Sequence, residues 1–167
     1  MQQPTKKQRC VVADDIRASR ELLLRWLKEM NIEAMLADDG QEAWRMIQAE
    51  TPDLVITDIE MPNMTGLELL CCIHESSSKR INDVPVIVIT SLQDQALASV
   101  VQKFKGTTAI SKPLNKKLTQ QVVEQVLNRG TVKEIYESEN AIELGGAGPA
   151  ISPTFRQLVR KAIRDQQ

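Results

Sequence analysis

The sequence predicts an α/β domain, doubly wound around a parallel sheet. Three observations carry that reading. Short apolar runs alternate with amphipathic stretches five times in succession, the pattern of repeated βα units. Pro85-Val-Ile-Val-Ile-Thr90 is a near-continuous β-branched run, as expected for a strand covered on both faces. Chemically useful side chains stand where the apolar runs end, foremost Asp58 after Leu54-Val55-Ile56-Thr57. Open α/β sheets place their chemistry at the carboxyl ends of the strands.

The elements follow in order. Cys10–Ala13 reads as a buried strand, and a helix follows from about Ile16 to Met30, with Leu23, Trp26, Leu27 and Met30 at helical spacing. Ala34–Ala37 is a weaker strand, closed by the turn Asp38-Asp39-Gly40. A helix over Gln41–Glu50 carries Ala43, Trp44 and Ile47 inward. Strand Leu54–Asp58 precedes a helix from about Thr65, where Thr65 and Glu68 have capping-box spacing. After strand Pro85–Thr90 comes a helix bearing Leu97, Val100, Val101 and Phe104. Gly106–Ser111 is the last strand. Leu114–Asn128 is the last helix of the series, with Leu118, Val122, Val126 and Leu127 inward and Gly130 as its C-terminal cap. Right-handed crossovers leave few topologies for such a chain.

Length and composition narrow the function classes. The 167 residues suit one domain, or one domain with an appendage. A net charge of −1 provides no whole-chain attraction for nucleic acid or anionic membranes. Aromatic residues make up only 3%, so no platform for stacking bases is visible. Cys10, Cys71 and Cys72 show neither a disulfide framework nor metal-ligand spacing, which fits a reducing compartment. The polar, basic start lacks the apolar stretch of a signal peptide, and the longest apolar runs have strand length. A cytoplasmic location is expected.

In a parallel sheet all strands end on one edge, so residues far apart in sequence can share a pocket. Asp14 and Asp15 follow the first strand, Asp58 ends the third with its side chain expected exposed at the rim, Thr90 ends the fourth, and Lys112-Pro113 follow the fifth. Three crowded carboxylates resist full ionisation, and a hard divalent cation relieves this. Mg²⁺ prefers oxygen ligands and is usually held by one or two carboxylates plus a phosphate. Lys112 supplies a point charge for a phosphoryl oxygen, Thr90 a hydroxyl donor, and Ser91 room for a tetrahedral group. That is the equipment of phosphoryl transfer. Each piece alone has a plainer explanation: Asp14-Asp15 as favourable charges at a helix start, Asp58 as a turn residue, Lys112-Pro113 as a solvated turn. The combination is what points to chemistry.

Val11-Val12-Ala13-Asp14-Asp15, Asp58-Ile-Glu-Met-Pro-Asn-Met-Thr-Gly-Leu-Glu68, Pro85-Val-Ile-Val-Ile-Thr-Ser91 and Ser111-Lys112-Pro113 together resemble the receiver domain of two-component response regulators, chemotaxis-regulator-like, over Lys7 to Arg129. The resemblance implies a flavodoxin-like sheet of strand order 2-1-3-4-5. It also implies that Asp58 accepts a phosphoryl group from the phosphohistidine of a sensor histidine kinase or phosphotransfer protein. Asp15 and Asp58, with the backbone carbonyl of Glu60, would bind Mg²⁺, with Asp14 acting mainly through water. Lys112 would contact the phosphoryl oxygen and Thr90 would reorient towards it. The Lys112-Pro113 peptide would be cis. The implied protein is a signalling switch, not an enzyme, that works through contacts with a downstream protein or a second copy of itself.

Some positions depart from the family. The usual Tyr or Phe three residues before the lysine is Ala109 here, which has no rotamer to switch. The expected output route is then the loop after Thr90 or the helix carrying Phe104. Glu60 and Leu92 occupy the two positions that tune phosphoryl lifetime in the family. His74, read as mid-helix without a partner motif, is not taken as a phosphotransfer residue.

The receiver is assigned to residues 7–129 and a helical extension to residues 130–167. In the extension, Val132, Ile135 and Tyr136 suggest a short helix, Gly145–Pro149 a linker, and Phe155, Leu158, Val159 and Ile163 an apolar stripe beside Arg156, Arg160, Lys161 and Arg164. It is too short for a core of ordinary size, so it is expected to dock on something. Two rival readings stand beside the switch. One is a transcription regulator that uses the basic last helix on DNA. The other is an aspartate-nucleophile phosphatase, which expects an Asp-x-Asp pattern after the first strand where this chain has Asp14-Asp15-Ile16.

Overall fold

A computed structural model describes residues 7–91, 100–101 and 104–129. Five strands, β1 (Arg9–Ala13), β2 (Glu33–Ala37), β3 (Leu54–Asp58), β4 (Val86–Ser91) and β5 (Thr107–Lys112), form one sheet of order β2-β1-β3-β4-β5. Every neighbouring pair is parallel. Among the described residues lie the helices α1 (Arg17–Glu29), α2 (Gly40–Glu50), α3 (Gly66–His74), the short α4 (Lys79–Asn82) and α5 (Lys116–Arg129), and Val100 and Val101 are helical as well.

Alternation along the strands divides the core into two layers, because successive side chains leave a strand on opposite faces. Val11, Val55 and Val88 join Ala43 and Ile47 of α2 and Leu70 and Ile73 of α3 on one face. Val12, Ile56, Ile89 and Ile110 join Leu23 and Leu27 of α1 and Val123 and Val126 of α5 on the other. The purely apolar strands are thus buried twice over, as their composition requires.

Local chemistry sets the helix starts. Asp39 caps α2 by accepting from the Glu42 N–H (2.7 Å). The Thr65–Glu68 capping box forms in full: the Thr65 N–H donates to Glu68 Oε2 (2.8 Å), and the Glu68 N–H donates to Thr65 Oγ1 (3.2 Å). Asn115 Oδ1 accepts from the Leu118 N–H (3.0 Å), so α5 begins at Lys116 and not at Leu114.

Two side chains and one short helix differ from expectation. Leu118 is 45% exposed, whereas Thr119, Val122, Val123 and Val126 are buried. At 100° per residue Leu118 lies about 90° from the centre of that stripe, so the helix is rotated to bury Thr119 and Val123. His74 is the last residue of α3, not a mid-helix one, and its ring lies 5.2 Å from that of Phe104. Short helix α4 had no counterpart in the expected series. Residues 92–99 and 102–103, with most of the helix expected to carry Phe104, and the 130–167 extension lie outside the described residues. No helix among the described residues is long and apolar enough to cross a membrane.

Candidate functional site

Parallel pairing brings the ends of β1, β3, β4 and β5 to one edge. There Asp14, Asp15 and Asp58 each offer a carboxylate oxygen within 4.8 Å of the others. Lys112 arrives from β5 and donates from Nζ to Asp58 Oδ2 at 3.0 Å. Asp58 Oδ1 accepts from the Ile59 N–H at 2.8 Å.

Asp58 is buried, only 6% exposed, which corrects the expectation of an exposed rim carboxylate. The Lys112 side chain and the neighbouring acids cover it, and strand ends alone could not show that cover. Asp15 is exposed and Asp14 fully buried. Asp14 Oδ1 accepts from the Ile16 N–H (2.8 Å), but its Oδ2 has no hydrogen-bond partner among the described residues. Burial pushes the Asp14 carboxyl above its ordinary range; the Ile16 N–H opposes this, Asp58 adds to it, Lys112 opposes and Asp15 adds. A buried, unpartnered carboxylate oxygen beside two further acids is a poor resting state for a metal-free protein. It suits a hard, oxygen-seeking dication such as Mg²⁺. The residues present fit the metal.

Thr90 stands one position beyond Ile89, the residue of β4 that pairs with Asp58. Its hydroxyl donates to the Ser91 carbonyl (3.3 Å) rather than to Asp58. Glu60 is exposed two residues past Asp58. The peptide between Lys112 and Pro113 is cis. Ala109 is half-buried against the layer that contains Val101 and Phe104.

The loop between β3 and α3 folds tightly over the site. The Gly66 N–H donates to the Ile59 carbonyl (2.9 Å), and a Cβ at Gly66 would lie 2.0 Å from the Asp58 carbonyl oxygen. Gly66 was legible as turn punctuation but not as the residue whose missing side chain admits this approach. Asp39, Gly40 and Asn63 were missed: the Asn63 amide donates to Asp39 Oδ2 (2.6 Å), and the Gly40 N–H to the Met64 carbonyl (3.2 Å). Only turn composition marked these positions, and nothing local linked the two turns.

Comparison with known proteins agrees with this geometry. The family model for the response regulator receiver domain matches residues 10–124. The DNA-binding transcriptional regulator NtrC of Azospirillum brasilense is 30% identical over 156 residues, covering 90% of this chain and 31% of that protein. The Regulator of RpoS of Escherichia coli K12 is 35% identical over 114 residues, covering 68% of this chain and 33% of that protein. The chain thus spans about a third of the length of these two relatives. The chemotaxis response regulator CheY4 of Vibrio cholerae shares the fold, with TM-score 0.67 and 24% identity over 73% of this chain and all of that one. Family model, sheet order and acidic pocket agree: the chain belongs to the response regulator receiver domain family of two-component systems.

Proposed function

We propose that this chain is a phosphorylation-operated switch whose acceptor is Asp58. The observation that carries the reading is a buried Asp58 carboxylate held between Lys112 and two further acids, one with an unpartnered oxygen. The donor is the phosphohistidine of a sensor histidine kinase or phosphotransfer protein. An Asp58 carboxylate oxygen attacks phosphorus, a P–O bond forms, the P–N bond breaks, and the imidazole nitrogen keeps the electron pair. Asp15, Asp58 and the Glu60 carbonyl would hold Mg²⁺, with Asp14 acting through water, and the ion would supply positive charge for the phosphoryl oxygens. Lys112 transfers its hydrogen bond from Asp58 to a phosphoryl oxygen, and Thr90 turns from the Ser91 carbonyl to donate to another.

Residues 7–129 form the receiver and residues 130–167 a helical extension used for output. Because Ala109 has no aromatic ring to swing, output runs through displacement of the segment after Thr90 or of the helix carrying Phe104, and acts on a downstream protein or a second copy, in the cytoplasm. The chain works as a switch and not as an enzyme. The relative named as a DNA-binding transcriptional regulator keeps one rival reading specific, in which Arg156, Arg160, Lys161 and Arg164 meet DNA.

A small phosphodonor with Mg²⁺ should add one phosphoryl mass to the wild type and none to Asp58→Asn, with a change of hydrodynamic size if a second copy is the partner. Absence of any mass gain in the wild type would refute the acceptor assignment. Phosphorylation-dependent retention on duplex DNA that disappears when the extension is removed would favour the DNA reading.

A further inference from the structure

We propose that Asp39 and Asn63 form a latch that positions the β3–α3 loop and thereby sets divalent-cation affinity at the acidic site. The inference rests on the reading of that site as a Mg²⁺ site and assigns a role to residues outside it. Asp39 caps α2 through Oδ1 and receives the Asn63 amide on Oδ2, so one carboxylate joins a helix start to a loop from another βα unit. Its helix is a firm anchor, because Ala43 and Ile47 are fully buried. The Glu42 N–H, and after it the Asn63 amide, hold the Asp39 carboxyl below its ordinary range, so it accepts both bonds ionised.

Asn63 has φ 63°, a left-handed conformation that asparagine tolerates better than most residues. This turns the chain so that its amide reaches Asp39. The next residue is held too: the Met64 carbonyl accepts from Gly40, where a Cβ would lie only 2.3 Å from that oxygen. The loop is therefore tied at Ile59–Gly66, where it enters α3, and again at its middle, three residues from Glu60. Untied, the Glu60 carbonyl would have to be ordered whenever a cation bound, at a cost in affinity. Asp39 and Asn63 are positioning residues: they act through the loop and touch no phosphoryl group.

The test uses the full chain and MgCl₂. Asp39→Ser keeps a capping hydroxyl but is too short to reach Asn63. Asn63→Gly keeps left-handed freedom and loses the amide. Calorimetric titration should show each variant binding Mg²⁺ about tenfold more weakly, the low end for residues that orient ligands. The double variant should be no weaker than either single, because all three lose one bond. The Mg²⁺ concentration for half-maximal phosphorylation should rise by the same factor, while the rate at saturating Mg²⁺ stays within about twofold. In EDTA, amide exchange of residues 60–65 should quicken while the melting temperature holds. Wild-type binding with unchanged variant affinities, or additive losses in the double variant, would overturn the latch alone. A wild type that binds no Mg²⁺ would overturn the metal reading and the latch with it.

Discussion

Lys112 Nζ meets Asp58 Oδ2 at 3.0 Å although their strands, β5 and β3, do not pair with each other; β4 lies between them. The lysine spans a strand to reach its partner, and its ammonium occupies the oxygen edge where a cation would also bind. Lys112→Gln removes a competing positive charge, so Mg²⁺ should bind several-fold more tightly, while phosphorylation should slow because the proposed phosphoryl contact of Lys112 is lost. Calorimetry and a phosphorylation time course separate the two effects. Weaker Mg²⁺ binding would mean that Lys112 organises the acids rather than competing with the metal.

Asp14 sets a pH dependence of known sign. Its carboxyl titrates above the ordinary aspartate value of 3.8, so between that value and the raised one the folded state holds more protons than the unfolded state. Metal-free stability should therefore fall as pH rises through that window and stay lower above it. Asp14→Asn should flatten this slope and raise the melting temperature at neutral pH in EDTA by a few degrees, on the order of 1 kcal/mol. Saturating Mg²⁺ should stabilise wild type by about 2–3 kcal/mol at a hundredfold excess over Kd and the variant by much less. Thermal melts with EDTA and with MgCl₂ check both statements.

His74 carries the opposite sign. Burial, and after it the Lys105 charge, lower the imidazole pKa below its ordinary 6.5, while Nε2 lies 3.5 Å from Thr107 Oγ1. Below pH 6.5 the unfolded state takes up the proton first. The contribution of His74 to stability is full above that pH and lost as pH falls towards the lowered value. The difference in urea midpoint between wild type and His74→Gln should shrink from pH 7 to about pH 5. A constant difference would show that the contact with Phe104, not the charge, is what matters.

Gly66→Ala would drive a methyl group to 2.0 Å from the Asp58 carbonyl oxygen, which lies in buried backbone and cannot yield cheaply. A loss of about 3 kcal/mol in denaturant unfolding is expected, with phosphorylation impaired because the displaced atoms belong to the proposed acceptor residue. Full activity with only reduced stability would show that the loop relaxes away from Asp58.

Sequence alone determined what depends on near neighbours. The βα alternation, the Thr65–Glu68 capping box and the β3 span Leu54–Asp58 were all legible, because periodicity and capping involve residues a few positions apart. The grouping of Asp14, Asp15, Asp58 and Lys112 at one edge was legible too, once the strands were taken as parallel, since that fixes which ends coincide. Tertiary structure decided the rest. Leu118 was read as core because its spacing fits a helix, but the rotation of α5 depends on what the sheet presents to it. Asp58 was expected exposed and is buried, beside Asp14 and Asp15 and hydrogen-bonded to Lys112, 54 residues away. The Asp39–Asn63 bond joins turns 24 residues apart, each of which reads alone as an ordinary polar turn. Burial and pairing between distant segments are properties of the packed chain, and no local pattern encodes them.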